Sequence, residues 1–438
     1  MPRRHVLIGS GAASIAAAET IRSVDPNAEI LVVGAERYGY YSRPGLAYYL
    51  AKEVPEKTLF PFTPGDFARL DIHMVNERAF RIDRAARRVT LESGRELPYD
   101  RLLIATGSWA IPVDVPGADL DGVTKLDDMH DARDLVRRSR KAKSAVVVGG
   151  GITALEIVEG LCARRLDVHY LMRKDRYWGN VLSESESHII EEGLRSRGVR
   201  IHYFTELAEI LGRDGRVVGV ATTEGTQIPC DLVAVAIGVL PQKELAEAAG
   251  LACGRGVLVD GYLRSSDHDI FAAGDIAEVG DPVTGRATVE VLWNSAVVKG
   301  RVAGHNMATE PTRTYDPGPP LNVTRLAGFK ITIMGTVGSG KDSDLKGIAR
   351  GDSETWRQLG EASVVESQIG DAHVRLAFGE RVIAGAVVMG DQALSFPLQE
   401  LIGARADVSG IIADLRAPGA PIAELVERSW RDWKAHRA

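Results

Sequence analysis

Two apolar runs in this chain end on glycine-rich turns of the same kind, and each turn leads directly into a helix that opens on small residues. The first reads His5-Val6-Leu7-Ile8-Gly9-Ser10-Gly11-Ala12-Ala13-Ser14, and the second Ala145-Val146-Val147-Val148-Gly149-Gly150-Gly151-Ile152-Thr153-Ala154. A buried parallel strand that breaks on Gly-x-Gly before a helix has a physical use. The first glycine makes the tight turn and the second lets a pyrophosphate approach, while the helix aims unpaired N–H groups and its positive dipole end at phosphate oxygens. Ser14 and Ala154 stand at the third fingerprint position, both small enough for close helix-to-strand packing. One such match is a weak signal. Two, each in strand-turn-helix context, predict two dinucleotides held by one chain.

With 438 residues, the chain has room for about three domains of ~150 residues. A formal charge of -6 with scattered basic residues excludes a polyanion-binding footprint. The three cysteines, Cys162, Cys230 and Cys253, lie far apart without metal-ligand spacing, which predicts a reduced cytoplasmic protein with no metal site. Met1-Pro2-Arg3-Arg4 before an alanine-rich stretch imitates a secretory signal, but cleavage there would remove Gly9 and Gly11. No apolar run reaches the ~18 residues of a membrane span.

The segment after each fingerprint repeats one plan. After the first helix come a strand at 29–33, short strands around 87–91 and 102–105, and the turn Ser93-Gly94 between them. After the second come 168–171, then 216–222, the turn Glu224-Gly225 and 232–237. Each unit closes on a strand ending in glycine: Ala105-Thr106-Gly107 in one, Ala236-Ile237-Gly238 in the other. The runs 256–260 and 269–275 then predict a further strand pair with an acid, Asp275, at its tip. The expected class is α/β, with two similar dinucleotide-binding units.

These motifs, Gly9-Ser10-Gly11, Ala105-Thr106-Gly107, Gly149-Gly150-Gly151 and Phe271-Ala272-Ala273-Gly274-Asp275, carry a family resemblance over essentially the whole chain. The sequence resembles the FAD-dependent pyridine nucleotide reductases related to glutathione reductase. It is most similar to the branch with rubredoxin reductases, NADH oxidases and oxygenase-coupled ferredoxin reductases. The resemblance implies a discontinuous FAD domain, 1–112 and 240–312, with an NAD(P) domain, 113–239, between its pieces. It also implies a smaller α+β carboxy-terminal interface domain, 313–438, in which the residues themselves show alternating apolar segments followed by helices and no readable chemistry.

For FAD, the candidates begin with Gly9, Gly11, Ala12, Ala13 and Ser14. Glu36, beside Arg37, follows the second strand where an acid accepts hydrogen bonds from a ribose diol; otherwise it is a solvated loop acid. Arg43 and Pro44 lie in a segment that the resemblance puts near the flavin and phosphates, where Arg43 supplies fixed positive charge; alone it reads as a surface turn. Ala105, Thr106 and Gly107 close the unit. Gly274 and Asp275 resemble the pair that meets the ribityl chain, although Asp275 would equally cap a helix beginning at Ile276. Trp293 resembles an aromatic near the flavin, or is ordinary core.

For NAD(P), the candidates are Gly149, Gly151, Ile152, Thr153 and Gly238. Tyr170-Leu171 runs into Met172-Arg173-Lys174 with no acid at the ribose position, a bias toward NADPH unless Arg173 and Lys174 are merely solvated. Glu156 matches the family's helix glutamate near nicotinamide and flavin, the tentative catalytic residue; otherwise it is an exposed helix-face acid.

No cysteine precedes Cys162, so the redox cysteines of the disulfide reductases are absent. The expected activity is FAD-dependent NAD(P)H oxidoreduction, exchanging electrons with a ferredoxin- or rubredoxin-like partner or an iron-sulfur subunit. The same residues allow a flavin subunit that reduces NAD(P)+ within a larger complex such as a 2-oxoacid oxidoreductase, a redox sensor without turnover, or a thiol-dependent reductase using Cys162. A homodimer or a hetero-oligomer is compatible with each. Gly335-Thr336-Val337-Gly338-Ser339-Gly340-Lys341 has the spacing of a phosphate-binding loop, but Asp342 replaces the Ser or Thr that would hold magnesium, so nucleotide hydrolysis is not expected.

Overall fold

The computed structural model describes residues 2–280, 285–338, 348, 350–357, 362–369 and 372–437. Each glycine-rich turn sits at the end of the central strand of a parallel five-stranded sheet. The first sheet runs Ile270–Ala272, Arg101–Ile104, Arg4–Ile8, Glu29–Val33, Ile72–Val75 in space. The second runs Val123–Thr124, Leu232–Val235, Ser144–Val148, Asp167–Leu171, Arg200–His202. In both, the central strand lies between its unit's closing strand and the strand after the fingerprint helix. Val6, Leu7, Val146 and Val147 are fully buried, as central parallel strands covered on both faces must be. Each unit also inserts a three-stranded antiparallel meander before its closing strand, at 79–98 and at 207–229. The repeated plan is therefore present strand for strand.

Two local expectations fail. Val257–Val259 pairs with Ala277–Gly280, while Ile270–Ala272 joins the first sheet beside Arg101–Ile104. Burial separates them: Ile270, Phe271 and Ala272 are inaccessible and suit a large covered sheet, whereas Leu258 is exposed and suits a small open one. No helix begins at Ile276. Gly274–Ile276 is a single 3-10 turn followed by that strand, and the helix starts later, at Trp293–Ala308.

The helix Trp293–Ala308 lies against the first fingerprint helix, Ala12–Val24, along a seam of small residues. A methyl group added at Gly300 would fall 2.2 Å from the Ala13 carbonyl oxygen, and one at Gly304 2.5 Å from that of Ala17. The backbones touch, which is why this stretch is built from glycine and alanine.

The chain crosses between the two sheets twice. The crossings pair with each other as an antiparallel ribbon, Ser108–Ala110 against Val239–Pro241. The carboxy-terminal region is an antiparallel five-stranded sheet, in the order Leu321–Leu326, Phe329–Gly335, Ile383–Met389, Ala372–Phe378, Ser363–Ile369. Alternation splits its faces. Val387 and Met389 pack on the second unit with Leu155, Ile190 and Leu194, whereas Ala386 and Val388 face the sheet's own helices, with Leu398, Ile412 and Val426.

One polar lock joins that sheet to the second unit. Glu186, fully buried in the helix Glu184–Arg195, accepts from Arg375 Nε at 3.0 Å and lies 3.2 Å from His373 Nε2. Arg375 also donates to the carbonyls of Val337 and Val181 at 2.6 and 2.7 Å.

Of the phosphate-loop decoy, Gly335 ends a strand with its α-hydrogens against the Ala384 carbonyl. Its residues from Ser339 through Lys341, and Asp342 after them, lie outside the described residues. Among the described residues no helix is long and apolar enough to cross a membrane, and no cluster of His, Cys, Asp and Glu could hold a metal ion.

Candidate functional site

Both glycine-rich turns solve the same packing problem. Gly9 has φ +112°, and a Cβ there would lie 2.1 Å from the Ala105 carbonyl oxygen; Gly149 has φ +143°, and its Cβ would lie 2.1 Å from that of Ala236. Each first glycine is thus required by its unit's closing strand. The turns are open beyond it: a Cβ on Gly11, the second glycine of the first turn, or on Gly150, the middle residue of the second, would meet nothing within 4 Å. Gly11 and Gly151 are the N-caps of their helices, and neither helix has a side-chain cap, so the first-turn N–H groups point outward unsatisfied by side chains. Ser14 Oγ and Thr153 Oγ1 are buried without a protein partner. Open backbone, uncapped helix starts and orphan hydroxyls fit an anionic dinucleotide at each turn.

Around the first turn the structure gathers most of the expected residues. Ala13 lies against Gly274, whose added Cβ would be 3.2 Å from Ala13 Cβ. Ala12 begins the helix. Thr106 is locked by donation to the Gln242 carbonyl at 2.8 Å, and Gly107, at φ +72°, carries the chain into the ribbon. Asp275 accepts from Ser108 Oγ at 2.6 Å, which ties the acid to the ribbon rather than to a helix start. Pro44 is the N-cap of the short helix Gly45–Leu50.

Glu36 and Arg43 meet directly as an ion pair, and Tyr41 Oη donates to the other Glu36 oxygen at 2.6 Å. Neither is therefore a free surface group. Arg37 is exposed. Trp293 is 49% exposed at the start of its helix, which removes the reading of ordinary core.

Around the second turn lies a cleft of about 540 Å³ at the carboxyl ends of the second sheet's strands. Gly149, Gly151, Ile152, Thr153, Arg173, Lys174 and Gly238 all line it. The position after Leu171 is held by Met172, which is buried, and Arg173 beyond it is exposed. Lys174 Nζ donates to Asn180 Oδ1 at 2.8 Å. Glu156, one turn into the fingerprint helix, is only partly exposed; burial pushes its carboxyl up to about 8 against the pull of Arg350.

Several participants escaped the sequence reading. Lys299, on the Trp293 helix, is fully buried, 3.4 Å from the Gly274 carbonyl and 3.9 Å from the Glu290 carboxylate. Burial pulls its ammonium down, opposed by Glu290 and Asp275. Asp127 accepts from the Ala110 N–H at 3.1 Å and pairs with Arg350, while its backbone carbonyl accepts from Arg43 at 2.6 Å. Burial works against its charge, but Arg350, the Ala110 N–H, Arg43 and Lys125 outweigh it and hold the carboxyl below its usual range. Ser108 directly follows the Ala105-Thr106-Gly107 motif and was findable by position. Lys299, Asp127 and Arg350 sit in stretches without a motif.

The thiols lie apart from this chemistry. All three are free, and burial raises the Cys162 and Cys230 thiols to about 11 and about 12, leaving them protonated at neutral pH.

A family model described as pyridine nucleotide-disulphide oxidoreductase matches residues 3–300. The ferredoxin–NAD(+) reductase component of the biphenyl dioxygenase system of Paraburkholderia xenovorans is 33% identical over 359 residues, 81% of this chain and 85% of that one. The rubredoxin–NAD(+) reductase of Ectopseudomonas oleovorans is 28% identical over 389 residues, 88% of this chain and 99% of that one. A solved ferredoxin reductase from Rhodopseudomonas palustris shares the fold, with a TM-score of 0.85 over 97% of this chain and 99% of its own at 24% identity.

Proposed function

We propose that this chain, which belongs to the pyridine nucleotide-disulphide oxidoreductase family, is a FAD-dependent NAD(P)H reductase that passes electrons to a ferredoxin- or rubredoxin-class protein without a cysteine relay. The observation that carries this reading is the pair of open, uncapped Gly-x-Gly turns in one chain whose thiols are remote and protonated. On this reading residues 1–112 and 240–312 hold FAD, 113–239 hold NAD(P)H, and 313–438 form an interface. The reduced thiols suit a cytoplasmic setting.

FAD supplies the chemistry that accepts hydride and releases electrons singly. The chain supplies the holding. Gly11 and the first helix start would hold the FAD pyrophosphate, Arg43 would add charge, and Glu36 would accept from the ribose. Gly274 and Asp275 would hold the ribityl chain, and Lys299, against the Gly274 carbonyl, would add buried positive charge there. Gly151, Ile152 and Thr153 take the second pyrophosphate, and Glu156 orients the nicotinamide.

The absence of an acid after the strand Asp167–Leu171, with Arg173 exposed beside the cleft, supports NADPH over NADH. Anaerobic stopped-flow mixing should show the oxidised-flavin band near ~450 nm bleaching, faster with NADPH than with NADH. Arg173→Glu should weaken NADPH by about tenfold and leave NADH nearly unchanged. A flavin-loaded protein that neither nucleotide bleaches would sink the proposal; failure to bind FAD at all would sink the two-dinucleotide reading.

Glu156 gives this half-reaction a pH signature. Its raised carboxyl is protonated below about 8 and ionises above it, so nucleotide reduction should change across that interval. Glu159, Tyr48, Tyr177 and Arg350 are the charged or titratable groups that face it. Glu156→Gln should flatten the profile between pH 7 and 9, taken as about one unit either side of the ionisation; an unaltered profile would remove Glu156 from the step.

A further inference from the structure

Ile348 and residues 350–353 of the carboxy-terminal region reach beyond their own sheet. Ile348 exchanges both backbone hydrogen bonds with Val239 of the ribbon, at 3.0 and 2.9 Å. Gly351 N–H donates to the Val291 carbonyl at 3.2 Å, and Val291 N–H to the Asp352 carbonyl at 3.1 Å. Asn322 Nδ2 holds the Gly351 carbonyl at 2.9 Å, and Ser353 Oγ reaches Glu290 at 3.3 Å. A Cβ on Gly351 would lie 3.2 Å from Ile152 Cδ1, the first residue of the second fingerprint helix. Six hydrogen bonds to three parts of the chain, and the close approach to Ile152, fix Ile348 and residues 351–353 on either side of Arg350.

That anchoring turns the Arg350 side chain into the nucleotide cleft, which it lines together with Gly149–Thr153 and Ala110–Val115. One guanidinium nitrogen pairs with Asp127, which is itself held by the Ala110 N–H of the ribbon. The side chain is 23% exposed, so donors remain on its cleft side. The cleft has two ends. The loop after Leu171 is the end where an adenosine ribose is read, and the ribbon end faces the first sheet, toward which a nicotinamide must point to meet a flavin.

We propose that Arg350, delivered by the carboxy-terminal segment, grips the nicotinamide mononucleotide half of NAD(P)H. This rests on the reductase reading above. A guanidinium suits the phosphate and ribose oxygens of that half, and its bond to Asp127 pre-orients it. The carboxy-terminal region thereby contributes directly to the nucleotide site, and pairing Arg350 with Asp127 also offsets a carboxylate that would otherwise repel the phosphate.

Calorimetric titration of the oxidised holoprotein tests it. Arg350→Met should weaken NADP+ by about tenfold, while binding of 2'-phospho-AMP, which lacks the nicotinamide half, stays within about twofold of wild type. Arg350→Lys should recover part of the loss. The double variant Arg350→Met/Asp127→Asn leaves no unpaired carboxylate and should show the same selective loss. Unchanged NADP+ binding by Arg350→Met, or an equal loss for both ligands, would overturn the assignment. Where wild type binds neither, the same comparison is made with NAD+ and AMP, and a wild-type protein that binds no nicotinamide nucleotide would instead sink the reductase reading itself.

Discussion

Arg375→Met is expected to cost about 3–5 kcal/mol, because it strands a buried carboxylate. Glu186 is fully inaccessible, and its charge is held by Arg375, His373 and the Ser183 N–H at 2.8 Å. Burial alone would raise that carboxyl; the partners more than reverse it, so it lies below its ordinary value. A depressed carboxyl stabilises the fold above the unfolded value of 4.5, and that contribution is lost as pH falls through the lower, folded value. Urea unfolding at neutral pH should show the loss in the transition that releases the carboxy-terminal sheet. In the variant, Glu186 keeps only His373 as a side-chain partner. Adding Glu186→Gln should restore part of the loss at neutral pH. Equal stability of Arg375→Met and wild type would show that the lock contributes nothing net.

The second large effect separates two glycines that lie two positions apart. Gly11→Val should leave a folded protein without flavin: the added side chain meets open space in the protein and occupies the volume a pyrophosphate needs. FAD affinity should fall by roughly three orders of magnitude, equivalent to about 4 kcal/mol. Gly9→Ala should do the opposite and damage the fold itself. Its methyl would fall 2.1 Å from the Ala105 carbonyl oxygen in the middle of the first sheet, at a φ of +112° that side chains rarely adopt. Circular dichroism and flavin absorbance together distinguish the two. Flavin retention by Gly11→Val would mean that the first turn is not the FAD phosphate site.

The glycines were legible in the sequence because a strand-turn-helix leaves a local pattern: apolar run, Gly-x-Gly, small residues. Both central strands, the closing strands, and one strand of each meander with its turn followed from local signals of this kind; the other meander strands did not. Partner choice did not. Val257–Val259 and Ile270–Ala272 look equally like strands, and what separates them is burial that only the assembled sheet provides. The helix expected at Ile276 failed because a glycine, an acid and alanine fit a 3-10 turn as well as a helix start. Arg350, Lys299 and Asp127 were invisible for a different reason. Their roles come from contacts across long sequence separations, such as Asp127 with Arg350, and nothing in their neighbours announces them. Pairing of Glu36 with Arg43 was likewise unforeseen, although each had been singled out alone.

The ribbon of Ser108–Ala110 against Val239–Pro241 makes the second nucleotide unit a cassette. Its entry and exit are hydrogen-bonded neighbours, with Ala110 opposite Val239, so their Cα atoms are roughly 5 Å apart. Excising the residues between them would leave two ends that a tight turn can close, without disturbing the order of the first sheet. A chain organised in this way can acquire, exchange or lose its hydride donor's unit as one block while its flavin-proposed half keeps its own core.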